Sequence, residues 1–481
     1  MHYRRYHIDA TPTELPTTRI ARFLIMRDKE RCLNCGRCAM HCIYHVHERD
    51  VADLRRLGEP DSYLCKNCFA CIQNCPQHAL TMLNNPAFLL LGNEYWKPQM
   101  VATLWGEAET GKIPVLGAGY RGPFRGYGFD EIWTDMSEIV RPTRDGIHGR
   151  EYISTTVEIG SKPSWIKDFS ALPECAFQEI PVPVLFDANP VGLNSNSITY
   201  LIVKAAHELG TLAAIDIERC DEKLLPFFQS LVLRIPLTAI EAIDEHFLRH
   251  ARFVELTISG MLSIEAIIPA IGAIKRNNKC AVIILPLRDS SVAGETLHEL
   301  MQAGVDVFKL EADECGRING GFITDAIREV HRKLVNERCR DEVTLLVQGG
   351  IGAAEHVPKA LICGADAVIL DRSLLVAAGC RVCSECKLDE CPAELGTLVP
   401  AVGVNRIKNM TCAWRDQLLE ILSAMGIRDV RRLRGEVGRA MFYEDIEKES
   451  YEINLRYSNY FKYIGQAQKQ RDTKTQKQPN K

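Results

Sequence analysis

The chain has 481 residues, enough for more than one folding unit around a large core. Its formal net charge of −4 gives no electrostatic case for nucleic acid or an anionic membrane surface. No run of about 18 or more apolar residues exists to span a bilayer. The opening residues Met1 to Arg5 lead into polar sequence rather than an apolar signal segment, so a cytoplasmic, reducing location is expected.

Disulfides are out of place in such a compartment, yet the chain carries 19 cysteines. Their distribution points to metal ligands: eight fall within 32–75 and four within 380–391. The other seven (Cys175, Cys220, Cys280, Cys315, Cys339, Cys363 and Cys412) are scattered singly and are expected to be small buried apolar groups.

In chain order, residues 1–21 form a polar leader and residues 22–84 hold the first cysteines. Cys32, Cys35, Cys38 and Cys42 follow the spacing C-x2-C-x2-C-x3-C, and Cys65, Cys68, Cys71 and Cys75 repeat it, with Pro76 after. This is the two-cluster ferredoxin arrangement, in which three thiolates of one array take one 4Fe–4S cluster and the fourth crosses to the other. One cluster then takes Cys32, Cys35, Cys38 and Cys75; its partner takes Cys65, Cys68, Cys71 and Cys42. Zinc is the competing reading, but zinc sites use two pairs per metal rather than runs of four. Residues 85–180, rich in Gly, Pro and aromatics, are expected to be an irregular connector.

Residues 181–445 are expected to form a barrel. Short β-branched runs (Val182–Phe186, Leu212–Ile217, Leu231–Ile235, Phe253–Ile258, Ala281–Leu285, Val305–Lys309, Val343–Val347, Ala367–Leu370) alternate with helical patterns such as Thr199–Leu209, Ile264–Lys275, Gly294–Ala303, Phe322–Leu334 and Ala353–Cys363. Eight buried strands alternating with helices predict an α/β fold, a (β/α)8 TIM-type barrel joined to an N-terminal α+β ferredoxin-like domain. An open doubly wound sheet is the alternative. Cys380, Cys383, Cys386 and Cys391 follow the last strand and suggest a further metal centre, for which spacing alone leaves zinc open. A helix is expected over Thr411–Met425. Residues 446–481 are a polar tail, and the Gln/Lys-rich part from Gln466 is expected to be disordered.

Late in the barrel, Gln348-Gly349-Gly350 with Gly352 follows one strand, and Gly364 to Val368 enters the next. Loops after strands seven and eight of such barrels bind phosphate through glycine N–H groups, with Asp371, Arg372 and Ser373 as a second wall. The plain alternative is a tight turn that needs glycine. Cubane clusters pass single electrons, whereas a flavin accepts them singly and delivers a hydride, so clusters joined to a phosphate-binding barrel point to FMN. No catalytic residue stands out.

The segment Glu138-Ile139-Val140-Arg141-Pro142-Thr143-Arg144-Asp145-Gly146-Ile147-His148-Gly149-Arg150-Glu151-Tyr152-Ile153-Ser154 resembles archaeal-type glutamate synthase large subunits, and Gly117-Ala118-Gly119-Tyr120 with Arg121 and Gly122 agrees with it. The resemblance runs from the cysteine arrays to about residue 445. It implies reductive amination of 2-oxoglutarate to glutamate, with electrons passing through the clusters to FMN. It also implies that Cys380, Cys386 and Cys391 hold a 3Fe–4S cluster, with Cys383 extra to the pattern so that a 4Fe–4S cluster is the alternative. The family's glutamine-hydrolysing domain begins with a cysteine nucleophile, and position 2 here is His2. The expected partners are therefore a separate glutaminase-type subunit and an electron donor, either a ferredoxin or an NAD(P)H-linked flavoprotein.

Three departures stand out. The family's lysine and Gln-Gly-Ala-Lys-Pro-Gly stretch at the fourth strand are replaced by Glu255 to Met261, the fifth strand lacks its lysine, and the sixth-strand loop is reduced to Gly320-Gly321. Two lost lysines remove positive charge that stabilises a reduced flavin. The alternative function is thus a non-catalytic electron-transfer subunit with a degenerate flavin site. Arg141, Arg144 and Arg150 are candidates to grip a dicarboxylate by charge only.

Overall fold

The computed structural model describes residues 6–13, 20–113, 126–134, 152–162, 177–189, 195–243, 245–258, 260, 264–383 and 391–451. Eight parallel strands close into a barrel in simple sequential order: β1 (Val184–Asp187), β2 (Ala213–Asp216), β3 (Leu231–Pro236), β4 (Phe253–Thr257), β5 (Val282–Leu287), β6 (Val307–Glu311), β7 (Thr344–Gln348) and β8 (Ala367–Leu370), with β8 pairing β1. Each expected strand is present within about two residues, and the open-sheet alternative is excluded by closure. The strands are buried along nearly their full length because helices cover the outside. Helices Asn196–Leu209, Ile264–Asn277, Gly294–Gln302, Ile323–Asn336 and His356–Cys363 follow the sequence pattern closely.

The N-terminal module is an antiparallel pair, Phe23–Arg27 against Leu80–Asn84, with the cysteine loops on one face. The two arrays repeat each other at a 33-residue offset in backbone as well as sequence. Positive φ angles recur at Asn34 and Asn67, Gly36 and Phe69, and His45 and His78; single-turn helices recur at Arg37–Met40 and Ala70–Gln73. These left-handed residues bend the chain so that successive thiols face inward.

The connector departs from the expectation of irregularity. Pro98–Thr110 is a 13-residue helix that buries Val101, Leu104, Trp105 and Ala108. Those positions fall on one face, i, i+3, i+4 and i+7, which the surrounding Gly and Pro content masked. Proline at the first turn and Gly111 at φ 69° set its ends. The expected C-terminal helix begins earlier than predicted and runs Pro400–Ala424. Asn409 on it clamps the N-terminal segment and helix Pro98–Thr110: its Nδ2 donates to Thr11 O at 2.7 Å and Ala108 O at 2.9 Å, and its Oδ1 accepts from Thr11 N at 3.0 Å. Nearby, Trp414 donates to the buried Glu107 at 2.8 Å. No described helix is long and apolar enough to cross a membrane.

Candidate functional site

Two cavities in the N-terminal module sort the eight cysteines into two sets. One, of about 350 Å³, is lined by Cys32, Cys35, Cys38 and Cys75. The other, of about 340 Å³, is lined by Cys42, Cys65, Cys68 and Cys71. The fourth cysteine of each array therefore faces the other array's cavity, the crossing expected from the spacing. Among the described residues no three His, Cys, Asp or Glu side chains converge on a single ion-sized point. Arg27 and Arg37 line the first void, Lys66 and His47 the second. Burial, then the charge of Arg27, lowers the His47 pKa to about 4, leaving its ring neutral.

At the later cluster, Cys380 is buried and accepts a hydrogen bond from Val382 N at 3.3 Å. Val382 has φ 55°, a conformation a β-branched residue adopts only when its surroundings impose it. Cys383 and Cys391 are half-buried, and Cys386 lies outside the described residues. The loop adjoins the connector, where Gly92 N donates to Arg381 O at 3.0 Å.

Inside the barrel, near the C-terminal ends of its strands, five side chains form a closed polar ring. Arg234 (β3) donates to Asp187 (β1) at 2.9 Å and lies 3.3 Å from Glu255 (β4). Lys309 (β6) pairs with Glu255 and donates to Gln348 (β7) at 3.3 Å, while Gln348 Nε2 donates to Asp187 at 2.7 Å. Burial alone would pull the Arg234 pKa down, but Asp187 and Glu255 outweigh it and hold it above its ordinary value. Burial opposes ionisation of Asp187 as well, yet Arg234 keeps its pKa low. Arg234 and Asp187 thus stay charged together in the interior beside the Lys309–Glu255 pair, and Glu255 Oε2 is left without a hydrogen-bond partner.

Above this ring the loops after β6, β7 and β8 meet. Gly349 (φ 107°) and Gly350 (φ 71°) let the β7 loop run against the backbone of Ala312–Gly316: a Cβ on Gly349 would lie 2.5 Å from Asp313 O. Tyr95 donates to Gly350 O at 2.5 Å, and Trp96 and Met100 cover Gly352. Arg317–Ile318 and Gly321–Phe322 form a hairpin closed by Asn319-Gly320, both at positive φ as a type I′ turn requires. Phe322 at its end packs on Tyr95, Tyr127 and Phe129, tying the connector to the mouth. After β8, Asp371 accepts from Arg372 N at 2.6 Å, Arg372 pairs with Glu314, and Ser373 Oγ is fully buried without a hydrogen-bond partner. Burial, reinforced by the charge of Asp187, raises the Asp371 pKa to about 7. Beside the mouth lies an open cleft of about 1100 Å³ whose lining includes Ser197, Tyr200, Arg219 and Lys223.

Residues 24–76 match the 4Fe-4S dicluster domain, and residues 314–428 match the conserved region in glutamate synthase. An archaeal-type glutamate synthase [NADPH] from Dehalococcoides mccartyi is 25% identical over 480 residues, covering 86% of this chain and 94% of the relative. The archaeal glutamate synthase [NADPH] of Archaeoglobus fulgidus is 26% identical over 506 residues, covering 91% and 97%. The chain is a relative of the archaeal-type glutamate synthases. A flavocytochrome b2 mutant with pyruvate bound aligns at a TM-score of 0.45 and 13% identity, over 65% of this chain and 76% of that one.

In this glutamate synthase relative the structure brings most of the expected flavin-loop residues together. Gln348, Gly349, Gly350, Gly352, Asp371, Arg372 and Ser373 gather at the mouth. Gly364 does not join them. It ends helix His356–Cys363 and precedes β8, so it sits at the opposite, N-terminal rim, where its carbonyl accepts from Arg340 at 2.7 Å. The segments carrying Arg141, Arg144 and Arg150, and Gly117 to Gly122, lie outside the described residues. Sequence reading missed Lys309, Arg234 and Asp187. A lysine within an apolar strand was the available signal, since a buried ammonium requires a partner. The sixth strand thus places a cation in a barrel whose fourth and fifth strands lack the expected lysines.

The mouth fits a phosphate. Ser373 Oγ is an orphan hydroxyl that a phosphate oxygen would satisfy, and the positive-φ glycines bring backbone close to that side of the barrel. Two N–H groups are already engaged within the chain, Gly352 by His356 at 3.1 Å and Arg372 by Asp371.

Proposed function

We propose that the chain is an iron–sulfur flavoprotein oxidoreductase of the glutamate synthase type. It receives electrons through two 4Fe–4S clusters and a third iron–sulfur centre at Cys380–Cys391, and uses them to aminate 2-oxoglutarate reductively. The observation that carries this reading is two crossed four-thiolate cavities joined in one chain to a closed barrel, in a sequence whose relatives along most of its length are glutamate synthases. A bound FMN would supply the hydride chemistry that one-electron clusters cannot. Gly349, Gly350 and Ser373 would hold its phosphate. Lys309 and Arg234 place cations, each paired with Glu255 or Asp187, beneath the mouth, and Tyr95, Trp96 and Phe322 cover the β7 loop against water. A separate glutaminase-type subunit supplies ammonia, and a donor protein supplies electrons.

Anaerobic purification with flavin and iron measured on one sample tests this. Stoichiometric FMN with about eleven or twelve irons, and ammonia-dependent glutamate formation, agree with it. One observation favours a second reading: Asp371 and His356 occupy N–H groups that an anion would use. Full iron without flavin would make the chain an electron conduit.

A further inference from the structure

We propose that the exposed rim of the first cluster cavity is the docking face for an acidic protein that donates electrons one at a time. The inference rests on the reading of the chain as an electron-receiving oxidoreductase and adds where, and to what chemistry, the donor binds.

The two cavities are not equivalent in position. The first is lined by Ala79 and Leu80 at the start of strand Leu80–Asn84, the second by Met82 further along it. That strand leads through Asn85, whose side chain donates to Ala21 O at 2.6 Å beside the start of its partner strand, to Phe88 and Leu91, which pack in the core shared with the barrel. Tyr63, two residues before Cys65 of the second cavity, donates to Glu109 on the barrel-packed helix Pro98–Thr110 at 3.1 Å. The first cavity therefore lies at the end of the strand pair farther from the barrel, although Cys68 of the second is exposed as well.

At that outward end Cys35 is exposed. Around it stand Leu33, Val51 and Leu54, exposed at 66%, 97% and 73%. They belong to one surface because loop 49–57 lies on the cysteine loop: Arg49 donates to Asn34 O at 3.1 Å and Leu57 N to Asn34 Oδ1 at 3.1 Å. Large apolar side chains gathered in water mark an interaction surface. The charge on this rim is positive. Residues 28–38 and 49–57 carry six Lys or Arg against four Asp or Glu; Arg37, which lines the cavity, and Arg55 are exposed and, among the described residues, pair with no carboxylate, while Asp28 and Asp53 are engaged by a neighbouring cation and Glu30 and Asp50 are not. The chain as a whole carries −4, so this rim runs against its average. Its own tail from Gln466, with five Lys or Arg and one Asp, has the wrong sign to cover it. An apolar centre edged with unpaired arginines complements an acidic partner that brings a redox centre up to Cys35.

The test is stopped-flow reduction of the anaerobic holoprotein by a reduced, strongly acidic ferredoxin as probe, across ionic strength. Reduction by dithionite, followed by electron paramagnetic resonance of both clusters, is the control. R37E/R55E is expected to slow reduction by the probe about tenfold or more at low salt, with the difference vanishing at high salt and the dithionite signals unchanged. V51S/L54S, which alters no residue lining a cluster cavity, is expected to slow it severalfold at all salt concentrations. Wild-type rates in both variants would overturn the proposal, as would a wild-type rate insensitive to salt. If R37E/R55E loses a cluster, V51S/L54S alone decides. Clusters that dithionite cannot reduce in the wild type would instead refute the underlying electron-transfer reading.

Discussion

Lys309 is the residue whose removal tests the barrel interior most sharply. Its side chain is 1% exposed and that of its partner Glu255 4% exposed, so neither charge can turn to water when the other is lost. In Lys309→Met the volume is nearly kept, but the ring of two cations and two anions becomes a buried excess of one negative charge. Breaking a buried pair costs about 3–5 kcal/mol. Arg234, 3.3 Å from Glu255, stays in place, which puts the expected loss at the low end, about 3 kcal/mol. For a barrel of this size that corresponds to a fall in Tm of roughly 6–12 °C. Adding Glu255→Gln removes the uncompensated charge, and the double variant should recover at least half of the loss. Thermal melting of the anaerobic holoprotein by circular dichroism reads both. A single variant within about 2 °C of wild type, or a double variant no more stable than the single, would refute the assignment of this ring as a coupled charge network.

Three further outcomes are expected. Cys75→Ser should disturb the cluster otherwise held by Cys32, Cys35 and Cys38, and Cys42→Ser the one held by Cys65, Cys68 and Cys71, each seen as loss of one of two electron paramagnetic resonance signals. Asp371 has its pKa raised to about 7, so the folded state holds more protons than the unfolded one between about pH 4 and pH 7, and its contribution to stability declines as pH rises through that window. Asp371→Asn should therefore gain Tm relative to wild type between pH 5 and pH 8; a constant difference across that range would contradict the shift. Gly349→Ala should cost about 2 kcal/mol or more in urea unfolding, because φ is 107° and the added Cβ would meet backbone oxygens at 2.5 and 2.9 Å.

The barrel was legible because eight short apolar runs alternate with amphipathic segments, and buried parallel strands impose that pattern wherever they occur. The dicluster domain was legible for a stricter reason, since a cubane tolerates little variation in loop length between thiolates. What sequence could not convey was pairing across the barrel. Lys309 and Glu255 are 54 positions apart and Gln348 and Asp187 are 161 apart, so Lys309 and Asp187 drew no notice in their apolar strands and Gln348 was read only as part of its glycine loop. Gly364 failed for the opposite reason: its motif matched a phosphate loop locally, but its place before β8 puts it at the wrong end of the barrel. The connector helix was hidden by composition, although the spacing of Val101, Leu104, Trp105 and Ala108 carried its signature.

The cluster module is held to the rest of the chain on both sides. Residues 6–13 are pinned before it through Thr11 and Asn409, and residues 86–110 pack into the barrel after it. A module on a single flexible tether samples many positions, and its redox centres meet their target only as often as the tether's effective concentration allows. Fastening both ends removes that search. The distance from the outer thiolate cavity to the barrel is then set once, at folding, and on the proposed electron route it does not vary with motion of a tether.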